Sequence, residues 1–91
     1  VKTTRLEVLE LAGQMIGSVR ASEYGSAQEN FARVAALWEA AFGWDVELHQ
    51  VPLAMDLVKT ARLVANPSHY DSWTDKAGYS ALGAEVACGD R

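Results

Sequence analysis

The sequence predicts an all-α protein, a compact and oligomeric bundle of about four helices, and three observations carry that reading. Apolar residues recur at three- and four-residue steps, Gly and Pro punctuate the periodic segments at their ends, and no stretch alternates long enough to make a lasting strand. Residues 1–91 read as a single helical domain, because a chain this short builds one core and buries roughly 60–65% of its unfolded surface. With 49% hydrophobic and 22% charged residues, the composition is that of a globular chain rather than a disordered one.

The first helix opens at Thr3 or Thr4 as N-cap and repeats apolar residues at Val8, Leu9, Ala12, Met15, Ile16 and Val19, with Gly13 and Gly17 weakening its end. A second starts at Ser26, where Ser26 and Glu29 make a capping box. Its buried face is expected at Phe31, Val34, Ala35, Trp38, Ala41 and Phe42, and Gly43 stops it. The segment from Trp44 to Val51 reads as a connector, extended for a few residues. Pro52 then suits the first turn of a third helix that runs to about Ala65 and packs through Ala54, Leu57, Val58, Ala61 and Val64. Asn66-Pro67 interrupts it. A fourth helix begins near Ser68, with Asp71 three residues on as a box-like cap, and reaches about Ala87 with a packing stripe of Tyr70, Trp73, Ala77, Ala81 and Ala84. Gly78, Ala81, Gly83 and Ala84 lower its propensity, which points to close backbone packing or an oligomer seam. Three Trp in so small a bundle also favour self-association into a homo-oligomer.

Charge and composition exclude several function classes. Eight Lys and Arg against twelve Asp and Glu, with no basic block, argue against a duplex nucleic acid partner. No apolar run approaches the roughly 18–20 residues that span a bilayer and no signal peptide is visible, so no membrane partner is expected and the cytoplasm is the expected compartment. Val1 in place of Met points to a trimmed or processed N-terminus. The lone Cys88 is a small packing residue or an end-of-chain thiol, and with only His49 and His69 beside it no zinc set is available.

The charged positions admit two readings each. Asp56, Lys59 and Arg62 line up at i, i+3 steps as a surface ion-pair row, or Lys59 and Arg62 reach a phosphate. Asp71 and Asp75 stand four apart on the fourth helix, where two like charges repel unless the face is solvated or holds a cation; Mg²⁺ is commonly held by one or two carboxylates with phosphates and waters. They are the candidate metal ligands. His69, in the helix's opening turn, is either a neutral donor to a ligand or a turn and capping residue, and His49 offers no clear partner. Phosphate-loop and nucleophile-elbow patterns are absent, which argues against covalent catalysis.

The run of Tyr24, Gly25, Asn30, Phe31, Trp38, Lys59, Arg62, Asn66, Pro67, His69, Asp71, Ser72, Trp73, Asp75, Gly78 and Tyr79 resembles a family of small uncharacterised proteins encoded by bacteriophages and prophages. The likeness covers about two thirds of the chain and implies a phage or prophage origin and a place in the host cell, with no established activity. A looser similarity joins "WTDKAGYSAL" to the all-α nucleoside triphosphate pyrophosphohydrolases of the MazG-like kind, which hold Mg²⁺ with Glu-x-x-Glu and Glu-x-x-Asp pairs. Asp75 stands where that second motif has its Asp; Ser72 stands where it has Glu, leaving Asp71 as substitute, and no Glu-x-x-Glu is intact. This similarity implies a divergent enzyme in which Asp71 and Asp75 hold Mg²⁺ for water attack and Lys59 and Arg62 neutralise phosphate charge. Tyr24, Trp73 or Tyr79 would stack the nucleotide's base, and His69 would contact the ligand. The competing expectation is a non-catalytic interaction protein that sequesters a nucleotide signal or inhibits a host protein through an aromatic surface.

Overall fold

Helix punctuation in the chain becomes four helices in the computed structural model, which describes residues 1–17 and 26–89: α1 (Arg5–Gly17), α2 (Ala27–Phe42), α3 (Gln50–Ala65) and α4 (Tyr70–Cys88). Among the described residues there is no strand, and the connector from Gly43 to Glu47 has no regular structure. Val19, Tyr24 and Gly25 lie outside the described residues.

The caps follow the local chemistry. Thr4 Oγ1 accepts from the Glu7 amide at 3.2 Å and Ser26 Oγ from the Glu29 amide at 3.1 Å, each satisfying an amide that the first helical turn leaves free. Gly43 ends α2 at φ 73°, where a side chain would be strained, and its amide donates to Glu39 O. Pro52 falls in the first turn of α3, where its missing N–H costs no hydrogen bond. The fourth helix departs from expectation. Its N-cap is His69 rather than Ser68, because Asn66 Oδ1 draws the Ser68 amide and hydroxyl into the turn before it.

The most extensive packing joins α3 to α4, the next joins α1 to α4, and α2 leans on α3. Phe31, Ala35 and Val51 form the buried centre, with Trp38, Leu48, Met55, Tyr79, Leu82 and Val86 packed around it. Ala12 anchors α1.

The expected stripes of all four helices need correction. On α2, Phe42 is 61% exposed and Ala41 is also exposed. On α3 the buried residues are Val51, Pro52 and Leu63, whereas Leu57, Val58, Ala61 and Val64 face out. On α4 the buried residues are Ser72, Thr74 and Gly78, whereas Trp73, Ala81 and Ala84 are exposed. The inner face of α4 is polar but satisfied: Thr74 Oγ1 donates to Tyr70 O at 3.2 Å, and Ser72 Oγ lies 2.8 Å from His69 Nδ1. On α1, Leu9 is exposed while Ala12 is buried.

Two of the α4 glycines are where the helices come close. A Cβ on Gly78 would sit 3.2 Å from Ile16 Cγ2 of α1, closer than ordinary contact. One on Gly83 would sit 3.4 Å from Pro52 Cγ, an ordinary van der Waals distance. Gly83→Ala is therefore expected to raise unfolding free energy by about 0.5–1 kcal/mol through helix propensity. Gly78→Ala should gain less, because Ile16 must move. Paired denaturant titrations check the ordering, and an equal gain from both would show that α1 does not press on Gly78.

Candidate functional site

The residues of the Lys59-to-Tyr79 motif come together along the α3–α4 hairpin, most of them in bonds to one another. At the corner, the Asn66 amide donates to Arg62 O at 2.9 Å and closes α3. The His69 amide then donates to Asn66 O at 3.1 Å, and the Trp73 indole N–H donates to Pro67 O at 2.8 Å. With the His69–Ser72 side-chain bond, these contacts fix how α4 leaves α3. His69 thus partners a fully buried serine hydroxyl and makes no side-chain bond to a backbone amide of the first turn, and Trp73 pins the turn while its ring stays half-exposed.

One turn inward, charges cross between the two helices. Lys59 Nζ lies 2.9 Å from Asp75 Oδ2, with the side chains only 12% and 16% exposed. Lys76 Nζ lies 3.0 Å from both Asp56 oxygens and 2.6 Å from Thr60 Oγ1. The expected row of Asp56, Lys59 and Arg62 on one surface is therefore corrected: Asp56 and Lys59 reach across to α4, and Arg62 stays exposed on the last turn of α3. Lys76, which pattern reading passed over, supplies the second cation. Only its spacing of twenty residues from Asp56 separates it from the row, and no sequence period carries that pairing.

The candidate metal ligands part company. Asp75 faces inward onto Lys59; Asp71 is exposed in the first turn of α4, where the helix dipole favours an anion. Of the carboxylates that could complete a metal set, Asp56 is held by Lys76, and Glu39 Oε2 accepts from the Val46 amide at 3.2 Å beyond the end of α2. Among the described residues no group of three or more His, Cys, Asp and Glu is placed to hold a metal ion. The donor set does not fit Mg²⁺, because the inward carboxylate is already neutralised by an ammonium. Tyr79 lines both a crevice between α1 and α4 with room for about one water and an open cleft of about 300 Å³ walled by Pro52, Leu53, Asp56, Gly83 and Ala84. Cys88 is exposed near the end of α4, and His49 Nδ1 lies 3.6 Å from Glu47 Oε2.

Sequence reading also missed an aromatic knuckle. Phe42 and Trp44 stack with ring centroids 4.6 Å apart, and Trp38 meets Trp44 edge-on at 6.3 Å. Gly43 makes this possible, since its left-handed turn folds Trp44 back over the end of α2.

Against this geometry, a family model described as "Domain of unknown function (DUF6378)" matches residues 7–87. The chain belongs to that family. The Gene 55 protein of Mycobacterium phage L5 is 37% identical over 78 residues, which is 85% of this chain and 50% of the phage protein. The Gene 55 protein of Mycobacterium phage D29 is 36% identical over 73 residues, covering 80% of this chain and 48% of the relative. The chain therefore spans about half the length of the curated relatives it matches. No solved structure matches it. These likenesses bear out the phage family and lend no support to the looser MazG-like similarity. Among the described residues, no helix is long and apolar enough to cross a membrane.

Proposed function

We propose that this domain acts by binding a protein partner, docking a basic and apolar segment on the knuckle of Phe42 and Trp44. The observation that carries the reading is that these two rings stack on each other while 61% and 55% exposed, so a large apolar area is held rigid in water. Rigid aromatic surface of this kind is what protein hot spots use, because little side-chain entropy remains to be lost on binding. The chemistry of the partner follows from the rim. Glu39, Asp45 and Glu47 are exposed beside the knuckle, and no Lys or Arg occurs between Arg33 and Lys59. A cationic surface would be steered there and an acidic one repelled.

Support for the catalytic alternative is thinner. Lys59, Asp75, His69 and Trp73 all have side-chain bonds within the hairpin, which leaves Arg62, Asp71 and Tyr79 as motif residues whose side chains make no described hydrogen bond or ion pair.

Titration with a Lys- and Leu-rich helical peptide, followed by tryptophan emission, is expected to show saturable binding that weakens about tenfold in Trp44→Ala. Raising the salt should weaken it further. Equal affinity for a Glu- and Leu-rich peptide, or indifference to Trp44→Ala, would sink the reading. So would Mg²⁺-dependent pyrophosphate release from a nucleoside triphosphate that is lost in Asp71→Asn, a variant whose exposed site leaves the fold intact.

A further inference from the structure

Past the end of α2 the chain runs through five residues without regular structure, Gly43 to Glu47, and Trp44 is the second of them. Fixing an irregular, exposed segment costs backbone entropy, so a ring held still there needs bonds that hold it. Those bonds converge on one residue. The Gly43 amide donates to Glu39 O at 2.9 Å, and the Val46 amide donates to Glu39 Oε2 at 3.2 Å. Glu39 therefore grips both ends of the arc from Gly43 to Val46, with its backbone at one end and its side chain at the other. Trp44 lies inside that arc, stacked on Phe42 and edge-on to Trp38. Beyond the arc the chain is tied separately: the Glu47 amide donates to Gln50 Oε1 of α3 at 2.8 Å, and Val46 and Leu48 pack on the core. Glu39 also stands in the last turn of α2, where the helix dipole disfavours an anion and no basic residue offsets it. The bond to Val46 is what the carboxylate gains in that place.

The geometry points to Glu39 as the positioning residue of the knuckle: its carboxylate sets the course of the turn that lays Trp44 on Phe42. Its effect on affinity rests on the docking reading, whereas the stacking is read without a partner. Charge and acceptor act differently at this position. The charge belongs to the acidic rim shared with Asp45 and Glu47, and steers a cationic partner over distances that salt screens. The acceptor oxygen belongs to the turn and acts at hydrogen-bond distance. Glutamine keeps the length and an acceptor without the charge, and alanine keeps neither.

NMR of the native chain beside Glu39→Ala, Glu39→Gln and Asp45→Asn makes the test. In Glu39→Ala the Val46 amide is expected to exchange about tenfold faster, while α3 and α4 amides keep their native exchange. The Phe42 ring protons should lose the upfield shift that the stacked Trp44 imposes. Glu39→Gln should retain both signals. The Lys- and Leu-rich peptide should then bind about tenfold more weakly to Glu39→Ala. Glu39→Gln should lose only as much affinity as Asp45→Asn, a difference from native that added salt erases. Native Val46 exchange and Phe42 shifts in Glu39→Ala would overturn the inference, as would their loss in Glu39→Gln to the same extent as in alanine. A native chain that binds no peptide would sink the docking reading instead, and the two NMR signals would still decide whether Glu39 holds the turn.

Discussion

Lys59→Met is expected to lower the unfolding free energy by about 3 kcal/mol, because it leaves the Asp75 carboxylate, only 16% exposed, without its cation. Methionine keeps the length of the lysine stem, so lost packing contributes little and the loss reports the charge. Asp75→Asn should cost a comparable amount by stranding Lys59. The double variant Lys59→Met/Asp75→Leu should recover most of the stability, since a well-packed apolar pair replaces a buried ion pair with little penalty. Lys76→Met provides the contrast. Its pair with Asp56 is 24% and 32% exposed, and water compensates either partner left behind, so about 1 kcal/mol is expected. Urea titrations of the four variants make the test. A double variant less stable than Lys59→Met alone would mean that Lys59 and Asp75 are not coupled. This expectation also bears on enzymology: loss of any activity in Asp75→Asn would be confounded by unfolding, which makes Asp71→Asn the cleaner probe of catalysis.

Phe31→Ala is expected to cost about 3–5 kcal/mol, the usual range for emptying a buried aromatic site. Phe31 is 4% exposed and sits with Ala35 and Val51 at the centre of the core. Its removal strikes a helix contact much less extensive than those α4 makes with α3 and α1, that of α2 on α3, so α2 should loosen before the hairpin does. Hydrogen exchange is expected to show α2 amides losing protection first while α4 amides keep theirs. A stability loss below about 1 kcal/mol, or uniform loss of protection, would place the attachment of α2 elsewhere.

Helix ends were legible because they are local. Thr4 and Ser26 reach amides three residues away, Gly43 adopts a backbone conformation that its own lack of a side chain allows, and Asn66-Pro67 breaks the chain where it stands. The packing faces of α3 and α4 were not legible in the same way. Periodicity ranks residues by hydrophobicity and so directs Leu57, Val64, Trp73 and Ala81 inward. The fold buries Lys59, Ser72 and Thr74 instead, since each finds a partner: Asp75 across the hairpin, His69 at the corner, and Tyr70 O one turn back. A polar residue is cheap to bury once it is paired, and the cross-helix pairing does not exist until both helices are in place.

The same distinction governs the candidate site. Asp71 and Asp75 share one face of an isolated α4, which is all that a four-residue spacing can say. Pairing α3 with α4 separates their roles, giving Asp75 to Lys59 and leaving Asp71 in water. The knuckle shows the converse. Phe42, Gly43 and Trp44 are adjacent in the chain, but the stacking of two rings across a left-handed glycine depends on the turn geometry. By itself, then, the sequence determined that this protein is helical, where most of its described helix ends fall to within about two residues, and that it carries a phage-family motif, because propensity, capping and chain breaks act within one turn. Only the tertiary structure decided which faces are buried, which charges are spent and which apolar surfaces remain for partners, because those depend on what each side chain meets on another helix.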